Sequence, residues 1–307
     1  MNAKDLRIIF LGTPEFAKAS LEALVVGGYN VVAVITAPDK PAGRGMQLQQ
    51  SEVKKFAVAY RIPVLQPVKL KEPEFLQELK GFNADVQVVV AFRMLPELVW
   101  NMPTMGTINV HASLLPQYRG AAPINWVLIN GEMETGVTTF KLQHQIDTGN
   151  ILLQSSIPVL PTITAGELHD QLKDLGAKVM LHTLEELATG NLNEIPQPES
   201  SSLKHAPKIF TETGRIDWSE TVDHVFNLVR GLSPYPAAYC ELNSKACKVF
   251  RVEKQTVAHT ATIGSYSTDH KTFLRFASAD GFIYMKEIQI QGKKRMAIGD
   301  FLRGFRD

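Results

Sequence analysis

Two cysteines in 307 residues, Cys240 and Cys247, are too few for a disulfide framework, and their spacing matches no common zinc or redox motif. Long apolar runs are also missing. The run Ile8 to Leu11 is cut short by Gly12 and Pro14, which makes it too short for a secretory core. No segment approaches the roughly 20 apolar residues that a bilayer-spanning helix needs. Together these shortages argue against a small disulfide-stapled domain and a helical membrane protein, and they set the expected location as a reducing cytoplasm with no membrane partner. Neither sign of charge dominates, with 32 Lys+Arg against 31 Asp+Glu. A dinucleotide fingerprint is lacking as well: G-x-G-x-x-G needs glycine where Pro14 and Ala17 stand after Gly12. The first turn therefore reads as a tight strand-to-helix connection in which Gly12 lets the backbone bend, with Thr13 as N-cap and Pro14 in the first helical position.

The chain does have an α/β pattern. Apolar β-rich runs at Leu6 to Leu11, Val31 to Thr36, Val86 to Phe92 and Thr107 to Ala112 predict a mostly parallel sheet. Helical spacing between the first three predicts helices on both faces, a Rossmann-like arrangement with ligands at the carboxyl ends of the strands. Leu168, Leu172, Leu175, Val179, Leu184 and Leu187 predict a long helix from Ala165 to about Thr189, closed by Gly190. The Pro-, Ser- and Asn-rich stretch that follows reads as a linker. Beyond it a short helix at Asp223 to Leu232 and brief β-like runs at Cys247 to Val252, Thr272 to Phe276 and Phe282 to Ile290 predict a small β-barrel or sandwich. The expected division is thus a catalytic domain at 1–189, a linker at 190–208 and a β-barrel domain at 209–307. Charge divides similarly. Residues 1–200 hold 16 Lys+Arg against 20 Asp+Glu, and residues 201–307 hold 16 against 11, so a net −4 precedes a net +5. A mildly basic second part is compatible with a polyanion-contacting face.

The densest cluster of unusual residues is TINVHASLLPQYRGAAPIN, Thr107 to Asn125. On a strand Asn109 and His111 share one side while Ile108 and Val110 share the other, so two polar groups converge near a strand end. Taken alone, His111 reads as a satisfied core histidine and Asn109 as a loop cap. Asp147, in the D-T-G turn of GVTTFKLQHQIDTGNIL, reads alone as a turn-former.

INVHASLLPQYRGAAPI followed by GVTTFKLQHQIDTGNI resembles the folate-dependent formyltransferases. The likeness extends through RIIFLGTPEFA, TAPDKPAGRGMQL, SPYPAAY and GKKRMAIGDFLRG, and is strongest with the branch whose acceptor is methionyl initiator tRNA. That resemblance implies Asn109, His111 and Asp147 as the catalytic set, and Ser113, Leu114, Leu115 and Pro116 as lining for the folate site. It implies 10-formyltetrahydrofolate as formyl donor, no metal, and initiator methionyl-tRNA as partner, with no obligate protein partner. An OB-like, tRNA-binding barrel is implied for the carboxyl-terminal part. The loop DKPAGRGMQLQQ matches the family's tRNA-reading loop, so Lys40 and Arg44 are expected at the tRNA, and the Lys293, Lys294 and Arg295 cluster suits phosphates. The sequence departs from the family at AFRMLP, where a Tyr-Gly step and an extra residue are usual, and at His144 and Gln145.

The residues suit acyl transfer in their own right. An amine attacking a formyl carbon builds an oxyanion, which an amide donor and an imidazole can stabilise, and Asp147 can orient the imidazole and favour its charged form. His111 could serve as base or as charged stabiliser. Alternative readings are a formyltransferase acting on a nucleotide sugar or glycinamide nucleotide, a hydrolase releasing formate, and a non-catalytic RNA-binding protein.

Overall fold

The computed structural model describes residues 1–42, 47–198 and 202–305. The chain forms two compact units, and neither is continuous. The first comprises Met1–Arg119, Gly136–Ile157 and Asp170–Lys204, and the second Gly120–Thr135, Pro158–His169 and His205–Asp307. Composition alone suggests a single cut between 190 and 208. The structure instead lends two stretches from the middle of the chain to the second unit.

The first unit is built on a seven-stranded sheet in the order Ile151–Pro158, Glu134–Lys141, Thr107–His111, Val86–Val90, Ile8–Gly12, Val31–Ile35, Val64–Leu65. The last five strands are parallel to their neighbours, and Glu134–Lys141 runs antiparallel to Thr107–His111. The predicted mostly parallel α/β sheet is therefore present. Ile8–Gly12 and Val86–Val90 are buried throughout, as strands covered on both faces must be. On one face Ile9, Leu11, Ile35 and Val89 pack with Phe75 and Leu79 of helix Pro73–Gly81 and with Val99. On the other, helix Ala165–Thr189 passes close to Val110 and Phe16 at Gly176.

The first helix begins one residue later than predicted. Pro14 is its N-cap, Glu15 its first residue, and no side chain caps it. Gly12 also has a different task from the bend assigned to it. A Cβ there would stand 2.5 Å from Ala17 Cβ and 3.0 Å from the Val90 carbonyl oxygen, so the glycine is needed for the close approach of helix to sheet.

In the second unit the sheet is antiparallel, in the order Ala238–Leu242, Lys245–Thr256, Gly281–Ile290, Leu274–Ser278, Tyr266–Thr268, with Met296–Ala297 also pairing to Gly281–Ile290. It curls as a half-barrel, and register shifts between Val249 and Val252 add to the bend. Helix Val222–Leu232 supplies Val222, Val225, Val229 and Leu232 to its core, beside Val249, Phe276, Ile283 and Met285. Helix Pro123–Ile129 packs on that helix, and the Asn125 side-chain amide donates to the Gly231 carbonyl at 2.7 Å. Cys240 and Cys247 face each other across two strands, both buried and unbridged. The hydrogen bond to Cys247 and burial push the Cys240 thiol far above its ordinary value. Among the described residues no helix is long and apolar enough to cross a membrane.

Gly136 fixes the spacing of the two outermost strands, because a Cβ there would lie 2.1 Å from the Ser155 carbonyl oxygen and 2.7 Å from Leu114 Cδ2. Gly136→Ala is therefore expected to cost about 1–3 kcal/mol through forced overpacking. A lower urea midpoint checks this, and an unchanged midpoint would mean the strands part freely.

Candidate active site

Strand Thr107–His111 pairs with Val86–Val90 on one side and Glu134–Lys141 on the other, with Asn109 opposite Phe140 and His111 opposite Thr138. Ile108 and Val110 are buried on one face, which leaves Asn109 half-buried and His111 buried on the other. The pair stands at the carboxyl end of the parallel strands. From Ile8–Gly12 the strand order runs outward in both directions, the kind of switch at which open α/β sheets place ligands.

His111 Nε2 lies 2.9 Å from the Tyr118 carbonyl oxygen. A carbonyl only accepts, so Nε2 carries the proton and Nδ1 is the ring atom left to exchange one. Nδ1 faces Asp147 Oδ2 at 3.9 Å, and both side chains are nearly closed to solvent, at 7% and 12% exposure. The structure thus brings Asp147 beside His111, although the two are far apart in sequence, and Asn109 stands two residues before His111 on the same strand. The Phe140 ring stands edge-on to the imidazole, 6.4 Å between centroids. No described residue hydrogen-bonds the Asn109 side chain, so its amide is available to a ligand.

The following loop is tied down by groups the sequence did not single out. Thr138 Oγ1 donates to the Ser113 carbonyl at 2.7 Å and accepts from the Leu115 N–H at 3.0 Å, while the Gln154 amide donates to Leu115 O at 2.8 Å and to Thr138 Oγ1 at 2.9 Å. Ser113 is fully buried, and its hydroxyl donates to Gln117 O at 2.7 Å. The Ser113 side chain thereby closes the turn. Leu115 packs on Phe140 and Ile151. Of the four expected lining residues, Leu114 and Pro116 keep partly exposed surface. In the divergent AFRMLP run, the Arg93 guanidinium donates to the carbonyls of Val68 at 2.9 Å and Pro67 at 2.5 Å, and Phe92 and Leu95 pack on the core. His144 lies at the surface, 3.4 Å from Glu97 and edge-on to Trp100.

Segment 190–198, which composition marks as linker, is anchored to the sheet. Ile195 exchanges both backbone hydrogen bonds with Ile151, and Glu194 takes bonds from Lys141 at 2.8 Å and Asn150 at 3.1 Å. Gln197 donates to the carbonyls of Asp147 and Gly149. Its only sequence signal is a polar residue between two prolines.

Exposed Lys40 opens strand Lys40–Ala42, which pairs with Gln47–Gln49, whereas Arg44 lies outside the described residues. Lys293 and Lys294 are exposed. Arg295 is committed to Glu287 through two bonds of 2.6 Å and lies over the Phe250 ring, 4.1 Å from its centroid. The expected basic cluster therefore presents two uncommitted charges rather than three. A cavity of about 290 Å³ in the second unit, lined by Trp126, Arg215 and His224 among others, contains none of the residues the sequence singled out. No group of three or more His, Cys, Asp or Glu among the described residues could hold a metal ion.

Residues 6–184 match the profile of the family described as Formyl transferase, and residues 208–306 match that of Formyl transferase, C-terminal domain. The chain belongs to the formyl transferase family. It is 54% identical to the methionyl-tRNA formyltransferase of Parabacteroides distasonis, with 100% of this chain and 98% of that one covered. The enzyme of the same name from Flavobacterium johnsoniae is 48% identical over 98% of this chain and 96% of its own. Among solved structures, the N-formyltransferase from Helicobacter canadensis superposes with a TM-score of 0.68 at 19% identity, covering 91% of this formyl transferase and 98% of that chain. HypX from Aquifex aeolicus gives 0.66 at 18% identity over 98% of this chain. This chain spans 48% of the length of HypX. At such identities the likeness concerns the fold.

Lys141 first, then Asn150, hold the Glu194 carboxyl of this formyl transferase below its ordinary value. A lowered folded-state value means that the stabilisation is complete above the unfolded value of about 4.3 and is lost as pH falls through the folded value. Amide protection at 194–198, relative to the intrinsic exchange rate at each pH, should therefore fall on acidification below about pH 4.3, and Glu194→Gln should already be less protected at pH 6. Identical protection in both proteins at pH 6 would refute the anchor.

Proposed function

We propose that this chain transfers the formyl group of 10-formyltetrahydrofolate to the free amino group of methionyl initiator tRNA, giving N-formylmethionyl-tRNA. The observation that carries this is identity of 54% to a methionyl-tRNA formyltransferase over the full length of this chain, in which Asp147 lies beside His111. Two structural neighbours support a folate-derived donor, since HypX was crystallised with tetrahydrofolic acid and the Helicobacter canadensis protein with folinic acid. The latter also held dTDP-3-aminofucose, yet at 19% identity it speaks for the fold and not for a sugar acceptor here.

In this reading the amino nitrogen attacks the formyl carbon, a C–N bond forms, and the carbonyl oxygen takes the charge. In this role the Asn109 amide, which no described residue hydrogen-bonds, donates to that oxygen. Collapse breaks the bond from carbon to folate N10; the amine loses a proton and N10 gains one. With Nε2 held by Tyr118, His111 can act only through Nδ1. Asp147 Oδ2 lies 3.9 Å from that atom, so the pair can accept the amine's proton at Nδ1 and stabilise the charge that develops. Leu114 and Pro116 offer the pterin apolar surface, while Ser113 and Leu115 hold the loop that carries them. Lys40, Arg44, Lys293 and Lys294 are proposed contacts to the tRNA, with the charge of Arg295 already matched by Glu287. The location this implies is cytoplasmic.

Asn109→Ala is expected to lower kcat by about 100- to 1000-fold, the usual effect of removing one oxyanion donor, with tRNA binding nearly unchanged. Formylation of charged initiator tRNA measures this, and turnover at the parent rate would refute the assignment. Arg44→Ala should raise the KM for tRNA far more than that for the folate, and equal rises would sink the loop's role. Incubation with donor alone should release no formate at a rate comparable to transfer, which separates transferase from hydrolase.

A further inference from the structure

We infer that Gln197 is a positioning residue for the proposed formyl transfer: its side-chain amide fixes the turn that carries Asp147 and so sets the spacing of Asp147 from His111. The inference rests on the reading of Asp147 as a member of the reacting set.

Asp147 sits in a turn with an internal bond from the Thr148 hydroxyl to the Gln145 carbonyl at 3.1 Å. Its φ is +55°, a left-handed conformation that costs an L residue about 1–2 kcal/mol. The turn is pressed against the strand end, since a Cβ on Gly149 would lie 1.7 Å from the Lys141 carbonyl oxygen. The amide of Gln197 meets it from outside. Both Nε2 hydrogens are used, one to the Asp147 carbonyl at 2.9 Å and one to the Gly149 carbonyl at 2.8 Å. On its other side Oε1 accepts from Arg119 Nε at 2.9 Å and Nη2 at 2.6 Å. All four partners have fixed polarity, because arginine only donates and a carbonyl only accepts. The amide therefore has a single workable orientation. Rotating it by half a turn would oppose donor to donor and acceptor to acceptor.

The clamp joins the two halves of the site. Arg119 follows Tyr118, whose carbonyl holds His111 Nε2, and the Tyr118 N–H donates to Lys204 O at 2.6 Å. Asp147 and the backbone that orients His111 are thus referred to one side chain. Gln197 is itself placed by the backbone bonds of Ile195 to Ile151 and by the ion pair of Glu194 with Lys141. The His111–Asp147 separation of 3.9 Å is already longer than a hydrogen bond, so a small drift of the turn weakens that interaction directly.

Gln197→Leu and Gln197→Glu in the full chain test this. Leucine removes all four bonds; glutamate keeps Arg119 but sets an oxygen against two carbonyl oxygens. Both should lower kcat by about 100-fold, as misplacement on the order of 1 Å does, and leave KM for donor and tRNA within about threefold. The His111 ring titration, followed by NMR, should move in each variant in the direction it moves in Asp147→Asn. Adding Gln197→Leu to Asp147→Asn should move it no further. An unmoved titration in both Gln197 variants, an additive shift in the double variant, or failure of both to fold would each overturn the positioning role. Should Asp147→Asn itself keep the parent kcat and titration, the reading of Asp147 falls instead.

Discussion

The chemistry available at this site turns on one hydrogen bond, from His111 Nε2 to the carbonyl of Tyr118. An imidazole has two nitrogens, and which of them can act depends on where the other is held. Here a main-chain acceptor takes Nε2, so the tautomer is decided by backbone geometry and Nδ1 is turned to a carboxylate. The rest of the first unit serves that arrangement. Thr138 and Gln154 pin the loop leading to Tyr118, and the segment after the long helix holds Tyr118 through Lys204 and the Asp147 turn through Gln197. Buried polar groups are costly unless paired, and pairing these to a carbonyl or hydroxyl of fixed position orders the loop around the imidazole.

Much of the sheet was legible because its strands are buried on both faces. Such strands must be apolar runs, and the runs at Ile8, Val31, Val86 and Thr107 stand out for that reason. Helix Ala165–Thr189 was legible to the residue, since a continuous apolar stripe ends on a glycine at Gly190. Asn109 and His111 could be placed on one face by period two alone. Asp147 could not, because an Asp in a turn is common and its approach to His111 depends on the strands either side of it.

What stayed hidden has a shared cause. Thr138, Gln154, Gln197 and Arg119 act by hydrogen bonds to main-chain atoms or to one another, and such bonds leave no periodicity to read. Segment 190–198 carries no apolar pattern, so composition calls it a linker, although two backbone bonds and an ion pair anchor it. The membership of helix Pro123–Ile129 in the second unit was equally invisible. It depends on a close crossing at Gly231, where a Cβ would lie 2.7 Å from Ile129 Cγ1, and that is information about space rather than pattern. A polar residue in a ligand-lining motif invites a ligand role, and in Ser113 the buried hydroxyl also closes the turn through its bond to Gln117.

The two units also differ in how their charge is used. Near Asp147 the side chains of Thr138, Gln154 and Gln197 are matched to main-chain carbonyls, to one another or to the Arg119 guanidinium. In the second unit the surface cations divide into paired and unpaired sets: Arg295 with Glu287, Arg251 with Glu167 and Lys254 with Asp223, against exposed Lys293 and Lys294. A paired cation has little left for a phosphate, because drawing it away means leaving a carboxylate behind. The net +5 of residues 201–307 therefore overstates no single strong patch; it is the unpaired remainder, not the count, that can attract a polyanion. Sequence charge reports the sum, and only the structure reveals which charges are already spent on each other.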